Sequence, residues 1–324
     1  MSEQDGLIGA YVLDGKGGGR TLEWGDLENG TDFDGPVWVH LDRNGERSET
    51  WLRESAGVGQ LQADALVAPE TRPRVAFMDD GILITLRGVN LNPGADPEDM
   101  VSLRIWVDAH RIITVRLRRL MAVNDVRERL AEGNGPQSTG DALRMLAQGL
   151  VRRMGPVIED MNDEIDALED DLVENPTADI RHRLKALRRQ AIALRRYLAP
   201  QREALARLHS EVVPWLGNEQ RFAFRECAEQ VARIVEDMDA IRERAAVIQD
   251  ELTNRTAEHM NRNMYTLSVV AALMLPLGVI TGMLGMNVGG VPLEESKDGF
   301  IVIAILLIAV VVLQVLIFRR LKWI

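Results

Sequence analysis

Two uncharged apolar runs constrain this 324-residue chain more than any other feature. No residue from Met264 to Leu293 carries a formal charge at neutral pH, and in the run from Gly299 to Phe318 only Gln314 is strongly polar. A hydrocarbon core of about 30 Å takes about 20 helical residues to cross, and each run supplies them. Buried helices of soluble proteins are usually shorter and keep a polar face. The expected order is a first span at 264–287, an external loop at 288–299, a second span at 300–318 and a basic tail at 319–324.

Flanking charge orients the pair. Arg255 and Arg262 precede the first span, and Arg319, Arg320 and Lys322 follow the second. The connecting VGGVPLEESKDG sets one lysine against Glu294, Glu295 and Asp298. By the positive-inside rule both termini are cytoplasmic and the acidic loop is outside. In a bacterium this is a multi-pass inner-membrane protein, with Trp323 placed as an interfacial anchor.

The rest of the chain is rich in charge. With 38 Lys and Arg against 49 Asp and Glu, the net charge of −11 argues against nucleic acid as a partner, since phosphate binding needs a basic face. Cys227 is the only cysteine, which excludes an intramolecular disulfide and a cysteine-based zinc module. The opening MSEQDGLIGAYVL carries acidic residues where a secretory signal would be basic.

Residues 1–135 read as a cytoplasmic α/β domain. Runs of β-branched residues predict strands at 7–13, 37–41, 75–78, 82–87, 101–107 and 112–116, with turns at Asp79-Asp80-Gly81 and Asp108-Ala109-His110. Helices are expected over 47–69 and 119–132. The string GKGGGR at 15–20 lacks the GxxxxGK[ST] arrangement of a phosphate-binding loop and reads as a turn between strands. No catalytic constellation is evident, so no enzymatic activity is expected.

Residues 136–263 read as a helical stalk region. One apolar stripe runs from Leu143 to Leu172, where Asn175-Pro176-Thr177 breaks the chain, and a second from Leu184 to Leu208. A third, Phe224, Cys227, Val231, Ile234, Met238, Ile241, Ala245, Ile248 and Leu252, alternates steps of three and four and makes a coiled-coil heptad seam. No proline or glycine falls between Gly217 and Pro276, so one helix is expected to run into the first span. From Gly217 to Met286 it would extend about 105 Å. Nine acidic residues between Glu159 and Glu174 are followed by an arginine-rich segment, which predicts an antiparallel hairpin with paired faces ahead of the alternative, a cation-collecting surface at a cytoplasmic mouth.

Two spans cannot enclose an ion path, so transport requires a homo-oligomer. On the first span Met264, Leu267, Ala271, Leu275, Gly278 and Gly282 share one face. Gly278 and Gly282 also form the small-xxx-small pattern of close helix packing, and spacing alone serves pore lining and packing equally. Neither span holds the His, Asp, Glu or Cys that would bind a dehydrated transition metal, nor a proton-carrying side chain. A passing cation would keep much of its water shell and meet carbonyl oxygens, with the Asn287 amide at the outer mouth and Glu294 and Glu295 attracting cations nearby. The five histidines show no zinc-site spacing.

Gly285-Met286-Asn287 at the end of the first of two C-terminal spans, the preceding YTLSVVAALMLPLGVITGMLGMN and the terminal RRLKWI resemble the CorA metal-ion transporter superfamily. WVHLD at 38–42, ETRPRV at 70–75 and LITLRGVN at 83–90 extend the likeness over nearly the whole chain. The resemblance implies a funnel-shaped homopentamer with an α+β cytoplasmic domain, long stalk helices and two C-terminal transmembrane helices. It implies an entrance and selectivity region at Gly285, Met286 and Asn287, and a conduit along the face just described. Val288-Gly289-Gly290-Val291-Pro292, where magnesium-type members carry an aromatic residue and Met-Pro-Glu, resembles the zinc-transporting ZntB branch. That implies Zn²⁺ as transported ion and uptake linked to protons, with Mg²⁺, Co²⁺ or Ni²⁺ as alternatives and no permanently bound cofactor. A membrane-anchored coiled-coil scaffold would explain the heptads and the spans but not Gly-Met-Asn.

Overall fold

The computed structural model describes residues 5–30, 33–69, 71–174, 178–286 and 297–321. It divides into two compact units, Met1–Gln249 and Asp250–Ile324.

The first unit is α+β. Seven strands, β1 (Leu7–Leu13), β2 (Gly19–Thr21), β3 (Val37–Asp42), β4 (Arg74–Met78), β5 (Gly81–Gly88), β6 (Val101–Val107) and β7 (Arg111–Arg116), form one sheet in the order β2-β1-β3-β7-β6-β5-β4. Every neighbour pair is antiparallel except β3–β7, which is parallel with Val37 opposite Arg111. Helices cover both faces, so the central strands are buried along nearly their whole length. On one face α1 (Trp24–Glu28), α2 (Ser48–Glu54) and α3 (Gln60–Val67) pack Trp24, Trp51, Leu52 and Leu66 onto Val39, Leu83, Trp106 and Ile113. Against the other lie α4 (Met121–Ala131) and α5 (Thr139–Arg152), whose Ser138 N-cap oxygen accepts from the Asp141 N–H at 3.1 Å.

The two expected hairpin turns join β4 to β5 and β6 to β7. GKGGGR is a turn: Asp14 Oδ1 accepts from the N–H groups of Lys16 and Gly18, and the chain returns as β2. The expected helix over 47–69 is two helices. They part at 55–59, where Gly57 has φ +62° and Arg111 donates to the carbonyls of Ala56 and Gly57. The stripe from Leu143 to Leu172 is likewise split between α5 and α6 (Gly155–Glu174), the break falling just before Gly155-Pro156. The 175–177 break lies outside the described residues.

The helices α6, α7 (Ala178–Ser210) and the first part of α8 (Asn218–Leu284) pack together. The hairpin pairing expected for the acidic stretch exists, with Arg183 bonded to Glu164 at 2.9 Å and Asp171 at 2.7 Å. Half of it is answered elsewhere: Arg244 of α8 pairs with Asp166 at 2.5 Å and Glu169 at 2.7 Å. The heptad seam is buried inside this one chain, with Phe224, Val231, Ile241 and Ala245 all at 0% exposure. A seam of this spacing suits a bundle of identical stalks, but here α6 and α7 of the same chain occupy it. On α7 the fully buried Gln201 docks onto the sheet, accepting from the Arg87 N–H at 2.6 Å and donating to the Arg87 carbonyl at 3.0 Å. Arg87 in turn lies 3.9 Å from the centre of the Tyr197 ring.

The second unit contains the rest of α8 and α9 (Gly299–Arg320), both long and apolar enough to cross a membrane. α8 is unbroken through Pro276. At about 1.5 Å per residue the 22 residues of α9 span about 33 Å.

Candidate ion path

Along α8 the side chains sort by face. Val269, Ala272, Leu273, Pro276, Leu277, Ile280 and Leu284 are half-buried. On α9 the half-buried set includes Ile303, Leu307, Val310, Val311, Gln314 and Phe318. Both sets recur at three- and four-residue steps, as two helices shielding one side of each other produce. At 100° per residue the opposite side of α8 holds Met264, Leu267, Ala271, Leu275, Gly278 and Gly282, and all six are exposed. The six residues expected to share a face do share one, and it is the side of α8 opposite its half-buried stripe.

That side is chemically plain. A Cβ placed on Gly278 or Gly282 would meet nothing within 4 Å, so their smallness serves no packing inside this chain. The hydroxyls that lie along the helix are turned to its own backbone: Ser268 donates to the Met264 carbonyl at 2.8 Å and Thr281 to that of Leu277 at 2.9 Å. This satisfies them in an apolar surrounding and leaves the surface to thioether, methyl and glycine groups. Thr281 is therefore not free to offer its proton to a bound group. Gly285 and Met286 follow the last turn, the Gly285 N–H bonding to the Thr281 carbonyl at 2.9 Å. Asn287, Glu294 and Glu295 lie outside the described residues.

Among the described residues no group of three or more His, Cys, Asp or Glu side chains could hold a metal ion. Two of the five histidines have side-chain partners within the chain. His40 is buried with Nδ1 2.8 Å from Thr114 Oγ1, and His209 Nδ1 lies 3.0 Å from the Arg221 carbonyl. Burial pushes the His40 imidazole well below its usual range, with Arg116 and Arg127 adding repulsion, so it is neutral. Nothing along the exposed face of α8 can strip and hold a transition metal. It can line a wet path, pack against another copy or face lipid.

A family model described as a CorA-like Mg²⁺ transporter protein matches residues 33–320. The chain belongs to the CorA family. It is a divalent-cation transporter of that family. The divalent cation transporter CmaX of Pseudomonas aeruginosa is 40% identical over 326 residues, covering 99% of this chain and 98% of the relative. The zinc transport protein ZntB of Pectobacterium carotovorum subsp. carotovorum is 36% identical over 321 residues, covering 99% and 97%. The solved structure of full-length CmaX superposes with a TM-score of 0.86 at 39% identity, covering 99% of each chain. Within the CorA fold the feature that single-sequence reading left unassigned is the stripe on α9 with Gln314. Its polarity was visible, but the side that α9 turns to α8 follows only from the burial pattern.

Proposed function

We propose that the chain carries Zn²⁺ across the inner membrane, into the cell, through a path lined by Met264, Leu267, Ala271, Leu275, Gly278 and Gly282 of several copies. The observation that carries this reading is the exposed, uncharged side of α8 leading to Gly285 and Met286. One copy presents only one wall, so the path needs a ring of copies, and a pentamer is the arrangement we expect. Both termini are then cytoplasmic, and Asn287, with Glu294 and Glu295 beyond it, stands at the outer mouth. Neutral oxygens there would hold a hydrated divalent ion without trapping it. Zinc is favoured by the ZntB relatives and by the Val288–Pro292 segment. A broader cation range is the second reading, favoured by CmaX, which is the more similar in sequence and is named only for divalent cations.

The test is zinc and magnesium flux into proteoliposomes, each with and without a pH gradient. We expect zinc flux that responds to the gradient and falls about tenfold or more in Asn287→Ala. Magnesium flux indifferent to pH would replace the zinc reading with the broader one. Flux unaltered by Asn287→Ala would remove that residue from the entrance.

A further inference from the structure

Ion conduction leaves Arg262 and Tyr265 of α8 unused. At about 100° per residue they lie roughly 160° and 100° around the helix from Met264, on the half turned from the six-residue face. Arg262 continues the direction of the half-buried stripe that α8 presents to α9, and it stands just before the uncharged run begins.

Its guanidinium is exposed and has no ion pair among the described residues. That sets it apart from its neighbours in sequence and fold. Arg255 is bonded to Glu251 at 2.6 Å, and Arg183, Arg195 and Arg244 each hold a carboxylate. Glu258, one turn before Arg262 and also exposed, makes no bridge to it. A guanidinium stays charged at every relevant pH, so Arg262 carries an unanswered positive charge at the edge of the apolar span.

A concavity of about 530 Å³ lies against this stretch, lined among the described residues by Asn261, Arg262, Met264, Tyr265 and Ser268. Ser268 has its proton on the Met264 carbonyl, which leaves the Arg262 guanidinium, the Asn261 amide and the half-exposed Tyr265 hydroxyl as donors. Towards the span the same flank turns apolar at Val269 and Ala272. Two consecutive spans return the chain to the membrane surface it left, so Arg319 and Arg320, directly after the apolar run of α9, stand at that surface too. Neither has an ion pair among the described residues.

We propose that Arg262, Asn261 and Tyr265 bind the headgroup of an anionic phospholipid. The phosphodiester accepts paired N–H bonds from Arg262, the amide and the phenol donate to the remaining headgroup oxygens, and an acyl chain starts beside Val269 and Ala272. A zwitterionic headgroup cancels its own phosphate charge and gains less from these cations. Lipid is the source of the phosphate because the donors sit where the apolar run meets the headgroup layer.

The test reconstitutes the full chain in nanodiscs of phosphatidylcholine with a minority of phosphatidylglycerol, and native mass spectrometry counts the lipids that stay bound. Lipid retention is read without ion flux, so its failure is separate from failure of the transport reading. We expect phosphatidylglycerol to be retained several-fold above its share, and Arg262→Gln to lower that excess about fivefold. Arg262→Lys should keep part of the excess through its charge, and Tyr265→Phe should lower it less than Arg262→Gln does. Arg233→Gln, at an exposed arginine of α8 in the first unit, should leave it unchanged. Retention in proportion to the lipid mixture, as when a second copy covers this flank, would overturn the proposal. So would an unchanged excess in Arg262→Gln, or an equal loss in Arg233→Gln. Displacement of the phosphatidylglycerol by inorganic phosphate at constant ionic strength would give the site to a soluble anion instead.

Discussion

His40 shows how one residue links the sheet to pH. Its ring is fully buried beside Trp38 and Thr114, and burial together with Arg116 and Arg127 keeps it neutral in the folded chain. In the unfolded chain an ordinary histidine gains its proton near pH 6.5. Below that value the unfolded state binds a proton that the folded state does not, so stability rises with pH and is lost as pH falls. The slope from this one group is at most about 1.4 kcal/mol per pH unit. Thermal midpoints of the wild type should therefore drop between pH 6.5 and pH 5.5 by more than those of His40→Gln, in which an amide replaces the imidazole near Thr114. Equal drops would mean that other groups set the acid sensitivity.

At the scale of elements, α8 separates two uses of one helix. Its heptad seam is closed within the chain by α6 and α7, with Arg244 bonded to Asp166 and Glu169 of α6 and Arg195 of α7 ion-paired with Asp239 at 2.7 Å. Ile241→Ala removes a fully buried side chain and is expected to cost about 2–4 kcal/mol. A seam inside one chain predicts a lowered melting temperature with unchanged oligomer size by light scattering, whereas a seam between copies predicts dissociation. The pattern of α8 was legible in the sequence because a three-four spacing depends on nothing but the helix. Its partner was not, since α6 and α8 are far apart along the chain and only the fold brings Asp166 to Arg244. Strands β1 and β3–β7 were legible from their β-branched runs. The three exposed residues of β2 and the five of α1 are too short to show a period. The break at 55–59 has a sequence signal in Gly57 and Gly59, but Arg111, which holds the turn, lies across the sheet. The candidate path was readable as a face because all six residues stand on one helix.

For the whole molecule the open question is what covers the exposed side of α8. Met264, Leu267 and Leu275 are more than half exposed in one chain, and apolar groups at a span's surface meet lipid, another copy or a conduit. Gly282 separates the last two. Because a Cβ there meets nothing in its own chain, Gly282→Leu adds volume outward without straining the fold. If the face lines the conduit, several leucines crowd one level of a narrow path. Flux should then fall about tenfold or more, the order expected when a pore is dewetted by apolar bulk, while oligomer size and melting temperature stay at wild-type values. If Gly278 and Gly282 instead let two helices pack closely, the leucine forces them apart, and the oligomer dissociates in native mass spectrometry before flux can be interpreted. Full flux in an intact oligomer would assign the face to lipid and move the conduit elsewhere on the helices. The six-residue face thus stands or falls on one substitution, at a position where an added Cβ meets nothing in its own chain.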